Sequence, residues 1–260
     1  MGSLAGKSLA NTYKSLLKVA DETNGVTTST SVIEDGEGTA TCLNVSANKF
    51  RVQPNSNNTE GFAVKKQEGN NIFTVDTTND LIKVGTSQVS ATTQLLEFSA
   101  MNYRPSSAGA HMVIGRGSQE YVSSSQEQNL GTGTDPATSK DWGTSTQYQT
   151  TFLFPVPYNI TIDACKALLS SDSDTDIVLN VHLMSYDMTA TGSTDDGNLN
   201  NGTVLADGQA TSVDRNVCKT VDCTIQSSSV TSGKVILCTV ENETNTNDIH
   251  AQIQVKYHIA

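Results

Sequence analysis

The sequence predicts an all-β protein: an amino-terminal repetitive β segment followed by an antiparallel, jelly-roll-like β-sandwich. Three observations carry that prediction. Residues 248–259 alternate strictly, with Ile249, Ala251, Ile253, Val255, Tyr257 and Ile259 set against His250, Gln252, Gln254, Lys256 and His258. That is the period of a strand with one face in a core and the other in water. A short apolar triplet recurs between Phe50 and Val84. Finally, only 36% of the chain is hydrophobic, 5% aromatic and 17% charged, the remainder being rich in Ser, Thr, Asn, Gln and Gly. Disordered chains are equally polar but lack such periodic Val, Ile and Phe clusters.

Residues 1–30 place Leu9, Tyr13, Leu16 and Leu17 at near-helical spacing, while Gly2, Gly6 and the β-prone pair Thr12-Tyr13 weaken a helix. The segment reads as a short helix or an extended arm with no core of its own, so these four residues are expected to anchor it on another surface. Residues 31–90 hold the triplets Phe50-Arg51-Val52, Phe62-Ala63-Val64, Phe73-Thr74-Val75 and Ile82-Lys83-Val84, divided by polar turns at 55–58 and 69–71. The two apolar side chains of each triplet share a strand face. No single short strand can hide them, so Phe50, Val52, Phe62, Val64, Phe73, Val75, Ile82 and Val84 are the expected interface of a homotrimer wound about one axis. An ordinary meander packed on the downstream domain is the alternative.

Residues 85–100 form a joint able to run as strand or short helix. Within the sandwich, residues 91–260, the alternation of Ile177, Leu179, Val181 and Leu183 marks a second clear strand, and further strands are expected at 110–114, 148–154, 158–162, 217–225 and 235–240. Two long loops, 115–143 and 189–212, are where binding on a sandwich concentrates. The first contains Tyr121 and the single tryptophan, Trp142, with Tyr148 just beyond. These three rings are candidates for stacking a sugar, weighed against a packing role under the loop.

A formal net charge of −11 opposes a phosphate-binding surface and hence a nucleic-acid partner. No apolar run reaches the 18 or so residues of a membrane span, and Lys7, Lys14 and Lys18 interrupt any signal-like stretch, so cytoplasmic synthesis without membrane insertion is expected. Five cysteines, an odd number, read as buried free thiols, and the four residues between Cys218 and Cys223 are too many for a zinc knuckle. Asp172, Asp174 and Asp176 have the spacing that opens a calcium loop, but Ile177 stands where such a loop needs glycine and Leu183 where it needs glutamate. A solvated turn is the expectation there. His111, His182, His250 and His258 make no ligand motif, and G-x-S-x-G is absent. Neither an enzyme nor a bound metal or cofactor is expected.

The blocks "TYKSLLKVADETNGV" and "VIEDGEGTATCLNVSANKFRV", with the pattern F-x-V-x-x-x-x-G-N-x-I-F-x-V-D from Phe62 to Asp76, resemble the modular front ends of tailed-phage fibre, spike and head-decoration proteins, especially those of marine phages. The resemblance covers about the first third of the chain. It implies a homotrimer in the virion, held to other virion proteins by the amino-terminal region around residues 13–26 and displaying a β-rich knob. It leaves open a tail appendage that contacts a host-surface glycan, a capsid decoration or cement protein, and a lectin-like module.

Overall fold

The computed structural model describes residues 16–21, 23–87, 89–116, 128–141, 149–188 and 197–260. The chain divides into two compact units, Met1–Ala91 and Thr92–Ala260.

The first unit holds two four-stranded antiparallel sheets. One runs β1 (Lys18–Val19), β2 (Ser31–Glu34), β3 (Ala40–Ser46), β4 (Lys49–Val52), and the other β5 (Phe62–Lys65), β6 (Asn71–Asp76), β7 (Leu81–Val84), β8 (Val89–Ser90), each in sequence order. The break between them has a local cause. The Gln53 amide still donates to the Cys42 carbonyl at 2.7 Å, but Pro54 has no N–H to continue the ladder and polar residues follow. The four triplets therefore do not make one stripe: Phe50 and Val52 pair with Val45 and Leu43 in the first sheet, and the other six apolar residues lie in the second.

The second unit contains β9 (Thr93–Tyr103), β10 (Met112–Arg116), one helical turn α1 (Gln149–Phe152), β11 (Phe154–Pro155), β12 (Ile160–Ser171), β13 (Ile177–Met188), β14 (Leu199–Val213), β15 (Lys219–Asp222), β16 (Thr224–Ile225), β17 (Ser229–Val230), β18 (Val235–Asn242) and β19 (Ile249–Ile259). One layer has the order β15-β12-β19-β9 and the other β10-β18-β13-β14, joined where the end of β10 meets β9 at Gly115 and Arg116. Two antiparallel four-stranded layers in this order, with all but one of the successive principal strands changing layer, make a jelly roll. Phe98, Ile114, Leu169, Leu179, Leu183, Cys238, Ile253 and Val255 fill the space between the layers. The alternation expected for residues 249–259 is realised in β19, whose odd-numbered residues up to Tyr257 are buried.

Two expectations need correction, and one open choice between strand and helix is decided. The strand expected at 148–154 is not formed by its described residues: Gln149–Phe152 is a helical turn and only Phe154–Pro155 pairs, because Pro155 and Pro157 supply no ladder donors. The joint at 85–100 is mostly strand, since β9 starts at Thr93. Most of the supposed loop 189–212 is β14, the longest strand described, with 15 residues. Its glycines are packing devices. A Cβ on Gly202 would lie 2.5 Å from Tyr186 Cε1 and 2.8 Å from Thr138 Cα, and one on Gly208 would lie 2.7 Å from Val221 Cγ1 and 2.9 Å from Cys223 Sγ. Glycine lets β14 approach the covering segment on one side and β15 on the other.

Candidate functional site

The second sheet of the amino-terminal unit is apolar on its open side. Phe62, Val75 and Ile82 form one cross-strand row, and Val64, Phe73 and Val84 the next. Phe62, Val64, Ile82 and Val84 are all more than two-fifths exposed, and Phe73 and Val75 are half-buried. The reverse side carries Ala63, Thr74, Asp76, Leu81 and Lys83, with Ile72 exposed at its end, and there Thr74 and Asp76 have lost nearly all contact with solvent. Asp76 accepts from the amides of Thr78 and Asn79 at 3.1 Å, from Asn79 Nδ2 at 2.9 Å and from Lys83 Nζ at 2.7 Å. These bonds, the one from Lys83 foremost, hold its carboxyl down at about 2 and cap the β6–β7 turn, in which Asp80 takes a left-handed φ of 55°. The usual arrangement of apolar side in and polar side out is thus inverted in this sheet. Phe50 repeats the feature on the first sheet at 68% exposure.

A second feature lies on the outer face of the β10-β18-β13-β14 layer. Residues 128–141 cross that face: the His111 carbonyl accepts from the Leu130 amide and the His111 amide donates to the Gly131 carbonyl at one end, the Tyr186 hydroxyl donates to the Ala137 carbonyl at 2.6 Å in the middle, and Lys140 bridges Leu199 at the other end. Under this strap Val113, Leu130, Phe152, Met184, Tyr186, Leu199 and Leu237 form a second apolar core, so the part of the layer beneath the strap is buried on both faces. Beside the strap the face turns polar, because the row Glu241–Asn180–Gln209 adjoins the row Thr239–His182–Asp207–Thr224. With Thr132–Asp135 of the strap as a wall, these rows, except the fully buried Thr239, line a cavity of about 700 Å³.

Its interior is held by side-chain amides. Asn180 Nδ2 donates to Glu241 Oε2 at 2.9 Å and to Glu243 Oε2 at 3.4 Å, Gln209 Nε2 donates to Asn180 Oδ1 at 2.9 Å, and Gln226 Nε2 donates to Asp207 Oδ1 at 2.8 Å. The rings of His111 and His182 meet edge to face at 4.9 Å. His111 Nε2 bonds the Gly133 carbonyl at 2.7 Å, and its Nδ1 faces Glu241 Oε2 at 3.8 Å. His182 Nε2 stands 3.6 Å from Asp135 Oδ1, and burial, with His111 beside it, pushes His182 down to about 4.

Of the other residues singled out in the sequence, Leu9, Tyr13, Tyr121, Trp142 and Tyr148 lie outside the described residues, while Leu16 and Leu17 are exposed. Asp172 accepts from the Asp248 amide, Asp174 pairs with Arg215 and Asp176 is exposed, as suits a turn. Among the described residues no three His, Cys, Asp or Glu side chains are grouped to hold a metal ion. His250 and His258 are not simply exposed: His250 Nδ1 accepts the Asn102 amide, and His258 Nδ1 lies 2.9 Å from Asp163 Oδ1. The five cysteines are free thiols, but only Cys165 and Cys238 are fully buried, and Cys42 and Cys218 are exposed. Sequence reasoning missed the pairing of His111 with His182 and the burial of Glu241. Both depend on segments far apart in the chain that the layer order brings together, and leave no local pattern.

No protein-family model matches this chain, and no curated protein does.

Proposed function

We propose that this chain is a non-enzymatic structural protein of a tailed-phage virion, a homotrimeric fibre- or spike-like appendage. Its amino-terminal unit associates with two further copies and with other virion proteins, and its jelly-roll unit is displayed toward the host surface. The observation that supports self-association is the inverted sheet β5–β8, with six apolar side chains on an open face and a buried carboxylate on the other. Full burial of a Val, Ile or Phe side chain contributes roughly 1.5–3 kcal/mol, so six half-covered ones leave on the order of 5 kcal/mol per chain to be gained. Each association step costs about 4–15 kcal/mol. The face therefore needs help, which the Phe50 patch and the free edges of β4 and β5 are placed to give.

Assignment to a virion rests on the resemblance of the first third to phage appendage proteins. The jelly roll is compatible with capsid, decoration and lectin roles alike and selects none of them. Gold-labelled antibody against the carboxy terminus, applied to intact phage particles, tests the proposal. Label at the tail periphery is the expected result, label distributed over the head would assign a decoration or cement role instead, and unlabelled particles would remove the virion reading.

A further inference from the structure

We propose that the cavity on the outer face of the jelly roll is a binding site for an organic cation, an ammonium or guanidinium group with several N–H donors. This inference does not rest on the assembly reading above.

The lining contains four carboxylates, Asp135, Asp207, Glu241 and Glu243, and neither lysine nor arginine. Its amides direct their N–H groups at these carboxylates and at one another, which leaves a surplus of acceptors facing the space. Glu241 is the telling member. It is 5% exposed, and a buried carboxylate is costly unless paired. One amide and a histidine nitrogen at 3.8 Å are what it has.

A second, independent observation points to a missing partner. His182 lines the cavity, its side chain is 7% exposed, and its Nδ1 has no hydrogen-bond partner. Thr239 Oγ1, directly across the strand pair, and His111 Nδ1, on the adjoining ring, are likewise buried without one. Buried polar atoms in folded proteins are nearly always satisfied, so an unsatisfied one on the lining residue His182, with two more on residues packed directly against it, marks a place where something binds.

The class of ligand follows from what the lining offers. A bare divalent cation would need a tight set of three or more ligand groups, and the described residues contain none. A sugar needs donors as well as acceptors and commonly a Trp or Tyr platform, and the described lining has no Trp, Tyr or Phe. A multi-donor cation matches both the negative charge and the excess of acceptors, and about 700 Å³ accommodates an alkylammonium or guanidinium group with its stem. The cation can be a free polyamine or a Lys or Arg side chain of a protein.

Calorimetric titration of the full-length protein with spermidine, and separately with the blocked tripeptides acetyl-Gly-Lys-Gly-amide and acetyl-Gly-Arg-Gly-amide, tests this. Saturable one-to-one binding of at least one probe is expected. Glu241→Gln and Glu243→Gln should each weaken it about ten-fold, the scale of one charge-assisted hydrogen bond, and Glu68→Gln, outside the cavity, should not. If Glu241→Gln fails to fold, Asp135→Asn, whose side chain is 63% exposed, takes its place. Tighter binding of the peptides assigns the site to a protein side chain, and tighter binding of spermidine to a free polyamine. The proposal is overturned if no probe saturates, if Glu68→Gln weakens binding as much as the cavity variants, or if calcium or glucose binds at these residues and the amines do not.

Discussion

Phe62 and Phe73 meet edge to face on the open side of the β5–β8 sheet, their ring centroids 6.1 Å apart and their planes at 69°. Such a pair contributes about 0.5–1.5 kcal/mol beyond area burial, and it fixes two large apolar groups in place before any partner arrives. That makes it the natural centre of the proposed association surface. Phe62→Ala is therefore expected to raise the dissociation constant of the assembly by at least ten-fold while the near-UV signal of the jelly roll is unchanged. Sedimentation velocity over a dilution series checks it, and an unchanged distribution would remove Phe62 from the interface.

The carboxylate on the reverse side gives a pH signature. Asp76 has a folded value of about 2 against an ordinary 3.8, set first by its bond from Lys83 and then by Asn79. A lowered carboxylate pKa stabilises the folded state above 3.8, and that contribution is lost as pH falls from 3.8 through about 2. Urea unfolding of the amino-terminal unit should weaken across this window. Asp76→Asn should lower stability at neutral pH and flatten the acid limb, and an acid limb identical to wild type would assign the loss to other groups.

Glycine at the strand crossings gives a packing test. Gly202→Ala must displace the buried Tyr186 ring or the Thr138 backbone, and it is expected to destabilise the jelly roll by about 1–3 kcal/mol. Gly38→Ala, at a left-handed φ of 85° with open space around the position, meets backbone strain alone and acts in the other unit. Separate denaturation transitions should assign each loss to its own unit, and a neutral Gly202→Ala would contradict the packing described for β14.

The same glycines explain where the sequence was readable and where it was not. Residues 249–259 and 177–183 could be read because apolar and polar side chains alternate without interruption. The face made by Phe62, Val64, Phe73, Val75, Ile82 and Val84 was legible for the same reason. In β14, Gly202, Gly208 and a run of small polar residues give the local signature of a loop, and the strand exists because β13 and β16 pair with it on either side. In β12, Cys165, Ala167 and Leu169 point inward with too little bulk to announce a strand running to Ser171. The cavity was invisible because Glu241, Asn180 and Gln209 become neighbours only through the layer order, which no local pattern encodes.

Thiol reactivity reports the same burial. Denatured protein should take up five alkylating groups, since all five cysteines are free. In the native state Cys42 and Cys218 should react first, and Cys165 and Cys238 last, because a thiol–thiol hydrogen bond with Cys223 and then burial raise Cys165, and burial raises Cys238. Peptide mapping of a time course checks the order, and early labelling of Cys238 would contradict its place between the layers.

The central claim, that the open face of β5–β8 is covered by further copies of the chain, is tested most directly by sedimentation equilibrium of the full-length protein at micromolar concentration, beside Phe73→Asp. The wild type is expected at three times the 27.6 kDa chain mass, and Phe73→Asp, which sets a charge among the six apolar residues of every copy, at lower mass or misassembled. A wild type that sediments as a monomer, with Phe73→Asp indistinguishable from it, would contradict both the homotrimer and the appendage reading built on it.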